Sequence, residues 1–430
     1  MSARKPFRIT KPSVQSESVF KNLNQKSKTT IQFQLNPTDV AYVNVLRRVI
    51  LTEVESVAFR SHILENGNTS DVKITKNTTP MSNEMLAHRI GLIPINISNP
   101  IEWDSDKYTF KLNVVNDTPD SRDVVAADIQ VLQNRGADEE PLPIPSGEFF
   151  YPDPISKETS LIAVLKGRVG TQEPETLTFE AVPTIGIGRE NAQFIPVSQC
   201  SYSYTPDTSP ERRREFFEKW LIAHNKGDIV ELESNPTRKK ELENEFNTME
   251  VARCFMINER GEPNSFDFTV ESIGVLDPFY IVARALQVIQ EKLLRYVSID
   301  GGDLPDNIKV RPADARMKGF DFVFAEEDHT LGNLLQSWMD INLLDSGAIT
   351  YVGYKVPHPL KDEMLLRVGV DDGKELSARA AISKAAQGCA DMFRQWSVQW
   401  SAIGGTSAAP PPKSIRTGIQ TARQNRFVSN

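Results

Sequence analysis

The chain has 430 residues, of which 39% are apolar and 25% are charged, and its formal net charge is −8. This length allows about two to four domains, and the acidic balance argues against a protein that coats nucleic acid over its whole surface. The three cysteines never form a CxxC pair, which excludes a disulfide framework or a zinc finger built from this chain alone. No signal peptide and no apolar stretch of the ~20 residues that a membrane helix needs is found, so we expect an intracellular protein without membrane contact.

Both ends of the chain are basic and poor in apolar residues. Residues 1–28 carry seven Lys or Arg against one acid, and residues 404–430 carry four against none in a stretch rich in Gly, Pro and Ala. Such compositions do not build a core, so we expect a flexible basic arm and a flexible basic tail. They serve either solubility or a salt-sensitive contact with nucleic acid or a partner, and the sequence leaves both open.

The first elements form a strand–helix–strand pattern. Residues 31–35 alternate between apolar and polar and predict a strand. Thr38 or Asp39 can cap the helix that then runs to about residue 52. Residues 56–64 return as a strand. One apolar stripe of the helix contains Val43, Leu46 and Ile50.

The middle of the chain divides by composition. Residues 66–200 hold short apolar alternations among Asn, Asp and Pro, which predicts an inserted, mostly-β domain. Residues 201–254 are highly charged and predict a helical insertion. Residues 266–274 then predict a strand, and Pro278 stands in the first turn of a long helix that runs to about residue 297.

An internal repeat is the strongest pattern in the chain. Sliding the sequence along itself by 289 residues places residues 31–46 over residues 320–335, and a later strand and long helix recur at 364–370 and 374–400. The matched positions pair Phe33 with Phe322, Leu35 with Phe324, Asp39 with Asp328, Asn44 with Asn333 and Leu46 with Leu335. The repeat predicts two related units that pair about a pseudo-twofold axis, each covering the sheet of the other. The alternative is a chance similarity of two short amphipathic segments.

Several stretches resemble the platform subunit of multisubunit DNA-directed RNA polymerases, a family that includes the bacterial α subunit, the archaeal D subunit and the third-largest subunit of eukaryotic RNA polymerase II. These stretches are TDVAYVNVLRRVILTEVESVAF (38–59), NTTPMSNEMLAHRIGLIPI (77–95), IGIGRENAQFIPVSQCSYSY (185–204) and FTVESIGVLDPFYIVARALQVIQEKL (268–293). FVFAEEDHTLGNLLQSWM (322–339) and YVGYKVPHPLKDEMLLRVGV (351–370) are similar to the small partner subunit, archaeal L. Fused platforms of this kind are similar to those of large cytoplasmic DNA viruses.

The resemblance implies an α+β fold: a pseudo-twofold intramolecular heterodimer of RNA polymerase α-like dimerisation modules with an inserted mostly-β domain. The D-like half would comprise residues 29–65 and 255–300, and the L-like half residues 306–403. The implied function is a non-catalytic assembly platform of a viral RNA polymerase. It would dock the two largest catalytic subunits and a small subunit, and would meet DNA only through the complex.

The resemblance also implies which functions are absent. Catalytic residues, bound metal and cofactors are not expected, because nucleotidyl transfer belongs to the large partners. A homodimer is not expected, because the two halves pair within the chain. The implied location is the host cytoplasm and the virion, with the nucleus as the alternative. The alternative function is a freestanding scaffold that recruits factors through the basic tails. A stand-alone enzyme is not supported, because the sequence contains no nucleophile–base pair, no metal-ligand cluster and no glycine-rich phosphate loop.

Three short stretches supply the candidate partner-binding residues. Arginines that match Arg47 and Arg48 face a large subunit in the family, although a local pair with Glu53 or Glu55 is the alternative. The family places the second stretch against the second-largest subunit, with packing onto the sheet as the alternative; it contains Met85, His88 and Arg89. The third is a surface loop that can contact a large subunit and lacks the lysine of a phosphate loop; it contains Gly186, Gly188 and Arg189.

The seam between the two halves is expected on the two repeated helices. Asp328 or Thr330 can cap the second of these helices, and Gly332 would let another backbone approach closely. The candidate seam residues are Val43, Leu46, Ile50, Leu331, Gly332, Asn333, Leu334 and Leu335.

Overall fold

The computed structural model describes residues 18–61, 71–135, 139–227, 229–302, 304–314 and 317–404. The strands are β1 (Phe20–Gln25), β2 (Thr30–Leu35), β3 (Glu55–Ala58), β4 (Val72–Asn77), β5 (Tyr108–Asn116), β6 (Arg122–Val125), β7 (Gln130–Gln133), β8 (Leu142–Ile144), β9 (Leu161–Leu165), β10 (Glu175–Ala181), β11 (Thr184–Ile187), β12 (Val197–Tyr204), β13 (Phe266–Ser272), β14 (Ile308–Pro312), β15 (Gly319–Ala325), β16 (Tyr351–Lys355) and β17 (Glu363–Gly369). The α-helices are α1 (Val40–Thr52), α2 (Asn83–Gly91), α3 (Pro210–Ala223), α4 (Ile229–Glu233), α5 (Pro236–Met249), α6 (Pro278–Leu294), α7 (His329–Met339) and α8 (Glu375–Gly404). Within these ranges, no helix combines the length and apolarity needed to cross a bilayer.

The described residues fall into two compact units. The described residues of the pairing unit lie within 18–53, 197–272 and 281–404. Those of the inserted unit lie within 54–61, 71–135, 139–196 and 273–280. The chain therefore leaves the pairing unit after α1 and returns to it with β12.

The pairing unit contains two halves of the same topology. The first half consists of β1, β2, α1, β12, β13 and α6, and the second half of β14, β15, α7, β16, β17 and α8. The antiparallel sheets have the orders β1-β2-β13-β12 and β14-β15-β17-β16, which are the same order of equivalent strands. This agreement confirms the predicted repeat and the predicted fold class.

The strand register repeats as well. In the first sheet, Phe33 lies opposite Phe268, and Phe268 lies opposite Tyr202. The equivalent row of the second sheet consists of Phe322, Leu366 and Tyr354. Because side chains alternate between the faces of a strand, an equal register places equivalent residues on the same face of each sheet.

The last helix of the second half covers the sheet of the first half. The ring of Trp400 on α8 lies 4.9 Å from that of Phe20 and 5.0 Å from that of Phe33. In the other direction, Tyr296, just after α6, packs edge-on against Phe324 of β15 at 5.4 Å. Because neither sheet face is closed by its own half alone, each half contributes to the core of the other.

The inserted unit is mostly β, as the sequence pattern predicted. Its main sheet has the order β4-β10-β5-β7-β8, and two smaller sheets pair β3 with β11 and β6 with β9. Buried and exposed side chains alternate along β5. Its core contains the buried rings of Phe59, Phe110 and Phe179, so this unit has a hydrophobic centre of its own.

The helical insertion has a separate small core. Helices α3, α4 and α5 lie in the chain between β12 and β13. Phe217 and Trp220 of α3 pack with Phe246 of α5, at ring distances between 5.1 and 5.8 Å. The charged sequence thus forms helices with one narrow apolar face.

Several predicted boundaries differ from the structure. Phe20–Gln25 is a strand, although the flexible arm was expected to reach residue 28. The segment is mostly polar, but Phe20 is buried and its ring packs against Trp400. Strand β3 belongs to the inserted unit, and β12 belongs to the first half, because their hydrogen-bonded partners are β11 and β13. Residues 201–204 are therefore strand rather than part of the helical insertion. Most of the expected arm and tail, residues 1–17 and 405–430, lies outside the described residues.

Candidate partner-docking surfaces and the seam between the halves

Helices α1 and α7 pack against each other in the pairing unit. Each begins at an aspartate cap: Asp39 Oδ1 accepts from Ala41 N, and Asp328 Oδ1 accepts from Thr330 N, both at 2.7 Å. The aliphatic residues that the sequence placed at the seam are all at most 2% exposed: Val43, Leu46, Ile50, Leu331, Leu334 and Leu335. Their burial comes from the apolar stripe that faces inward on each helix.

The two remaining candidate seam residues behave differently. A Cβ on Gly332 would overlap the ring of Tyr354 on β16, so this glycine accommodates a side chain of its own half and not the backbone of the other half. Asn333 is half-buried. At the position equivalent to Gly332, the first half carries the buried Val43.

Arg48 connects the halves. Its Nε donates to Thr330 Oγ1 at 2.7 Å, and its Nη2 donates to Asp328 Oδ2 at 3.0 Å. These partners lie in the other half and differ from Glu53 and Glu55, the local partners that were the alternative in the sequence. Arg47 differs, because its Nε and Nη2 both donate to Asn44 Oδ1 on the same helix.

A buried polar cluster lies at a second point between the halves, and sequence reasoning missed it. Lys292 Nζ of α6 lies 2.9 Å from Glu327 Oε2 and 3.4 Å from Glu53 Oε1. Tyr296 donates to Glu327 Oε1 at 3.0 Å and accepts from Asn307 Nδ2 at 3.1 Å. Burial, and then the charge of Glu327, raise the pKa of Tyr296, so this phenol stays protonated and can donate.

Helix α2 has one buried and one exposed face. Leu86, Ala87 and Ile90 are buried in the inserted unit, whereas Met85 is 59% and Leu92 55% exposed. His88 and Arg89 also lie on the exposed face. This face consists of Met85, His88, Arg89 and Leu92, at the i, i+3, i+4, i+7 spacing of one helix side.

Arg89 is only partly available to a partner. Its Nε donates to the carbonyl of Ile162 at 3.0 Å, and its Nη2 donates to the carbonyl of Leu161 at 2.9 Å. Leu161 is itself 44% exposed. The arginine thus fixes α2 to β9 and leaves Met85, His88 and Leu92 as the free part of the face.

The loop after β11 is held by Arg60, another residue that sequence reasoning missed. Arg60 Nε and Nη2 donate to the two carboxylate oxygens of Glu190 at 2.6 and 2.9 Å, and Nη2 also donates to the carbonyl of Ile185 at 2.6 Å. Its guanidinium lies 5.2 Å from the ring centre of Phe194. Arg60 and Glu190 are 130 positions apart, so no local sequence pattern could have revealed this ion pair.

Of the three candidate residues that the sequence placed in a surface loop, Gly186 lies in strand β11 and is buried. A side chain there would overlap the ring of Phe194, so Gly186 supports packing and offers no contact surface. Gly188 and Arg189 are half-buried. In the described part of the chain, no group of three or more His, Cys, Asp or Glu is placed to hold a metal ion.

The comparisons with known proteins agree with this architecture. The family model of the RNA polymerase Rpb3/Rpb11 dimerisation domain matches residues 32–293, and a second model of the same description matches residues 320–399. The chain belongs to this family of α-like RNA polymerase subunits, since the first match alone covers more than half of it. The first match spans the first half together with the inserted unit and the helical insertion, and the second match lies within the second half.

Three relatives illustrate the similarity. DNA-directed RNA polymerase II subunit RPB3 of Schizosaccharomyces pombe is 28% identical over 289 residues, which are 62% of this chain and 82% of the relative. A conjugation stage-specific protein of Tetrahymena thermophila is 24% identical, over 61% of this chain and 88% of the relative. DNA-directed RNA polymerase subunit Rpo3 of Methanothermobacter thermautotrophicus is 25% identical, over 65% of this chain and 98% of the relative.

Proposed function

We propose that this chain is the non-catalytic assembly platform of a multisubunit DNA-directed RNA polymerase, with both members of the platform heterodimer fused in one chain. The observation that carries the proposal is the pairing, within one compact unit, of two halves that share strand order and register. Both halves match the same dimerisation domain, and the relatives are named as polymerase subunits. Fusion makes the pairing intramolecular, at a high effective concentration, and sets the stoichiometry at one to one.

The exposed face of α2 is the docking surface that we propose for the second-largest catalytic subunit. Met85 and Leu92 expose apolar side chains on a helix whose other face is fully used for packing, and neighbouring exposed apolar side chains are typical of a protein interface. Arg47 and the half-buried Arg189 are proposed contacts for the large subunits as well. The guanidinium of Arg47 is oriented by Asn44, so its fork is held in place before a partner arrives.

The test is affinity purification of the tagged full chain from its native source, with mass spectrometry of the co-purified chains and an assay of template-dependent RNA synthesis. We expect two large chains in equal amount and activity in the eluate. The double substitution Met85→Asp and Leu92→Asp should lower recovery of the second-largest chain about tenfold or more, because two apolar anchors become charged.

A matched control lies in the same unit. Ile155 is 91% exposed and away from α2 in sequence, so Ile155→Asp should leave recovery unchanged. A full chain that purifies without large partners would contradict the platform proposal and support the freestanding scaffold.

We further propose that the polymerase is viral, works in the host cytoplasm and is packaged into the virion. The support is the fusion of the two halves in one chain, which is similar to the fused platforms of large cytoplasmic DNA viruses. Antibody staining of infected cells and of purified virions tests this location. Staining confined to the nucleus would favour the alternative.

A further inference from the structure

Among the described residues, three ion pairs join the two halves of the pairing unit with the same polarity. The first half supplies the cation and the second half supplies the acid in each of them. The pairs are Arg48 with Asp328 at 3.0 Å, Lys292 with Glu327 at 2.9 Å and Arg260 with Asp345 at 2.7 Å.

This polarity breaks the pseudo-twofold symmetry of the halves. In a symmetric pair, every contact has a counterpart on the other side of the axis. The internal repeat places Ser337 at the position of Arg48, and Asp39 at the position of Asp328. The counterpart of the Arg48–Asp328 contact therefore has no cation, although the helices and their caps are equivalent.

Pairing of like halves would lose all three ion pairs. Two second halves would leave Asp328, Glu327 and Asp345 without the cations that the first half supplies. Two first halves would place Lys292, whose side chain is only 15% exposed, opposite Thr38, since Thr38 stands where the second half has Glu327. Lys292 would keep Glu53 at 3.4 Å but would lose the closer carboxylate of Glu327, and a buried cation that loses its nearest counter-charge is destabilising.

We propose that the one-way polarity of these three ion pairs selects the pairing of unlike halves and directs the second half of the chain onto its first half in preference to a like half of another copy. The apolar stripes of α1 and α7 supply attraction that both kinds of pairing would share, so the charges supply the discrimination. The inference concerns the pairing of the halves and is independent of the proposed docking of catalytic subunits.

The test reverses the polarity of the most buried pair in the full chain. Variant A carries Lys292→Glu and Glu53→Lys, which keeps the pair within the first half and reverses the charge that faces Glu327. Variant B carries Glu327→Lys. Variant C combines all three substitutions. The readouts are the thermal midpoint of unfolding and the mass in solution by light scattering.

We expect variants A and B each to lower the midpoint by about 6 °C or more and to self-associate, because the seam opens and exposes apolar residues. Variant C should recover at least half of the loss and remain a monomer. Arg253→Glu is the control and should change neither readout, because Arg253 is 71% exposed and, within the described residues, pairs only with nearby Glu250 after α5.

Co-expression tests the choice between copies directly. Two differently tagged wild-type chains should not co-purify, whereas variants A and B should, because the reversed half of each matches the reversed half of the other. A monomeric variant A with an unchanged midpoint would overturn the proposal. The proposal would also be overturned if variant C did not regain thermal stability, because the single reversals would then act through local damage. It would be overturned as well if variant C regained stability but variants A and B did not co-purify, because the ion pair would then stabilise the seam without selecting the partner.

Discussion

The two halves of the pairing unit share their elements but differ in their connections. In the first half, the chain between α1 and β12 contains the inserted unit, and the chain between β12 and β13 contains helices α3 to α5. In the second half, only residues 340–350 separate α7 from β16, and residues 356–362 separate β16 from β17. The elements that bury apolar surface are retained, while surface connections accept long insertions at small cost in loop-closure entropy.

The two halves also have different polar side chains at equivalent positions. Gln32 lies opposite Thr269 and donates to its hydroxyl at 3.0 Å. The equivalent cross-strand pair in the second sheet is Asp321 with Arg367, joined by two hydrogen bonds of 2.5 and 2.9 Å. A repeated backbone therefore does not require a repeated set of polar contacts, and four predictions test how far the equivalence extends.

We expect the greatest loss of stability from a substitution that removes the contact between α8 and the sheet of the first half. Trp400 is 2% exposed and lies against Phe20 and Phe33 of the other half. Trp400→Ala should lower the free energy of unfolding by about 3–5 kcal/mol, because it removes buried ring area and leaves a cavity. Urea denaturation measures this loss. Val398, on the same helix and 67% exposed, is the control, and Val398→Ala should cost less than about 0.5 kcal/mol. Equal losses for the two variants would contradict the contribution of this contact.

The second prediction copies the first half into the second. Gly332→Val introduces the residue found at the equivalent Val43 and should destabilise the chain by about 3 kcal/mol through overpacking against Tyr354. The same measurement in a Tyr354→Ala background should show a much smaller cost, because the obstructing ring is gone. A cost that is independent of Tyr354 would place the constraint elsewhere.

The third prediction concerns pH. The hydrogen bonds from Arg367 hold the pKa of Asp321 below its usual range. Its folded-state pKa thus lies below the unfolded value of about 3.9, so the ion pair contributes fully above that value and is lost as pH falls through the folded-state pKa. Asp321→Asn should cost about 2 kcal/mol at pH 7 and should reduce the loss of stability as the pH falls below about 4.

The control for this prediction is the equivalent uncharged position. Gln32→Glu places an acid on the first sheet opposite Thr269, without an arginine across the strand. It should give no gain in stability at pH 7. Equal acid sensitivity of the wild type and Asp321→Asn would show that other carboxylates dominate acid unfolding.

The smallest effect compares the two helix caps. Asp39→Ala should cost about 1 kcal/mol, the usual value for losing an aspartate cap. Asp328→Ala should cost about 0.5 kcal/mol more, because Asp328 also pairs with the partly exposed Arg48. The excess should vanish in an Arg48→Met background. Asp39→Asn should be nearly neutral, since asparagine caps as well as aspartate does.

The repeat and the element types were predictable because they depend on short-range patterns. The alternation of β2 and β15, the apolar stripes of α1 and α7 and their aspartate caps all appear within about 20 residues of sequence. Strand β1 was not predictable, because the sequence FKNLNQ is mostly polar and forms a strand by pairing with β2 and by the contact of Phe20 with α8.

Among the candidate site residues, the exposed part of α2 and the buried seam follow from helical periodicity. Gly186 and Arg48 do not, because their roles depend on side chains far away in sequence. Gly186 is needed beneath Phe194, and Arg48 finds Asp328 at a separation of 280 residues. The resemblance implied that both residues lie where a large subunit docks, and it did not indicate these contacts within the chain.

Two related strand–helix units, a mostly-β insertion and two capped helices with matching apolar stripes can all be read from the order of the residues. Local propensity and periodicity are sufficient for such features, since each depends on neighbours within a few helical turns or strand residues. The charged residues that meet across the seam could be identified only from the folded chain. The partners depend on where the fold places Lys292, Glu327 and Arg48 relative to one another. Because Lys292 and Glu327 are largely buried, their proximity becomes a selective interaction.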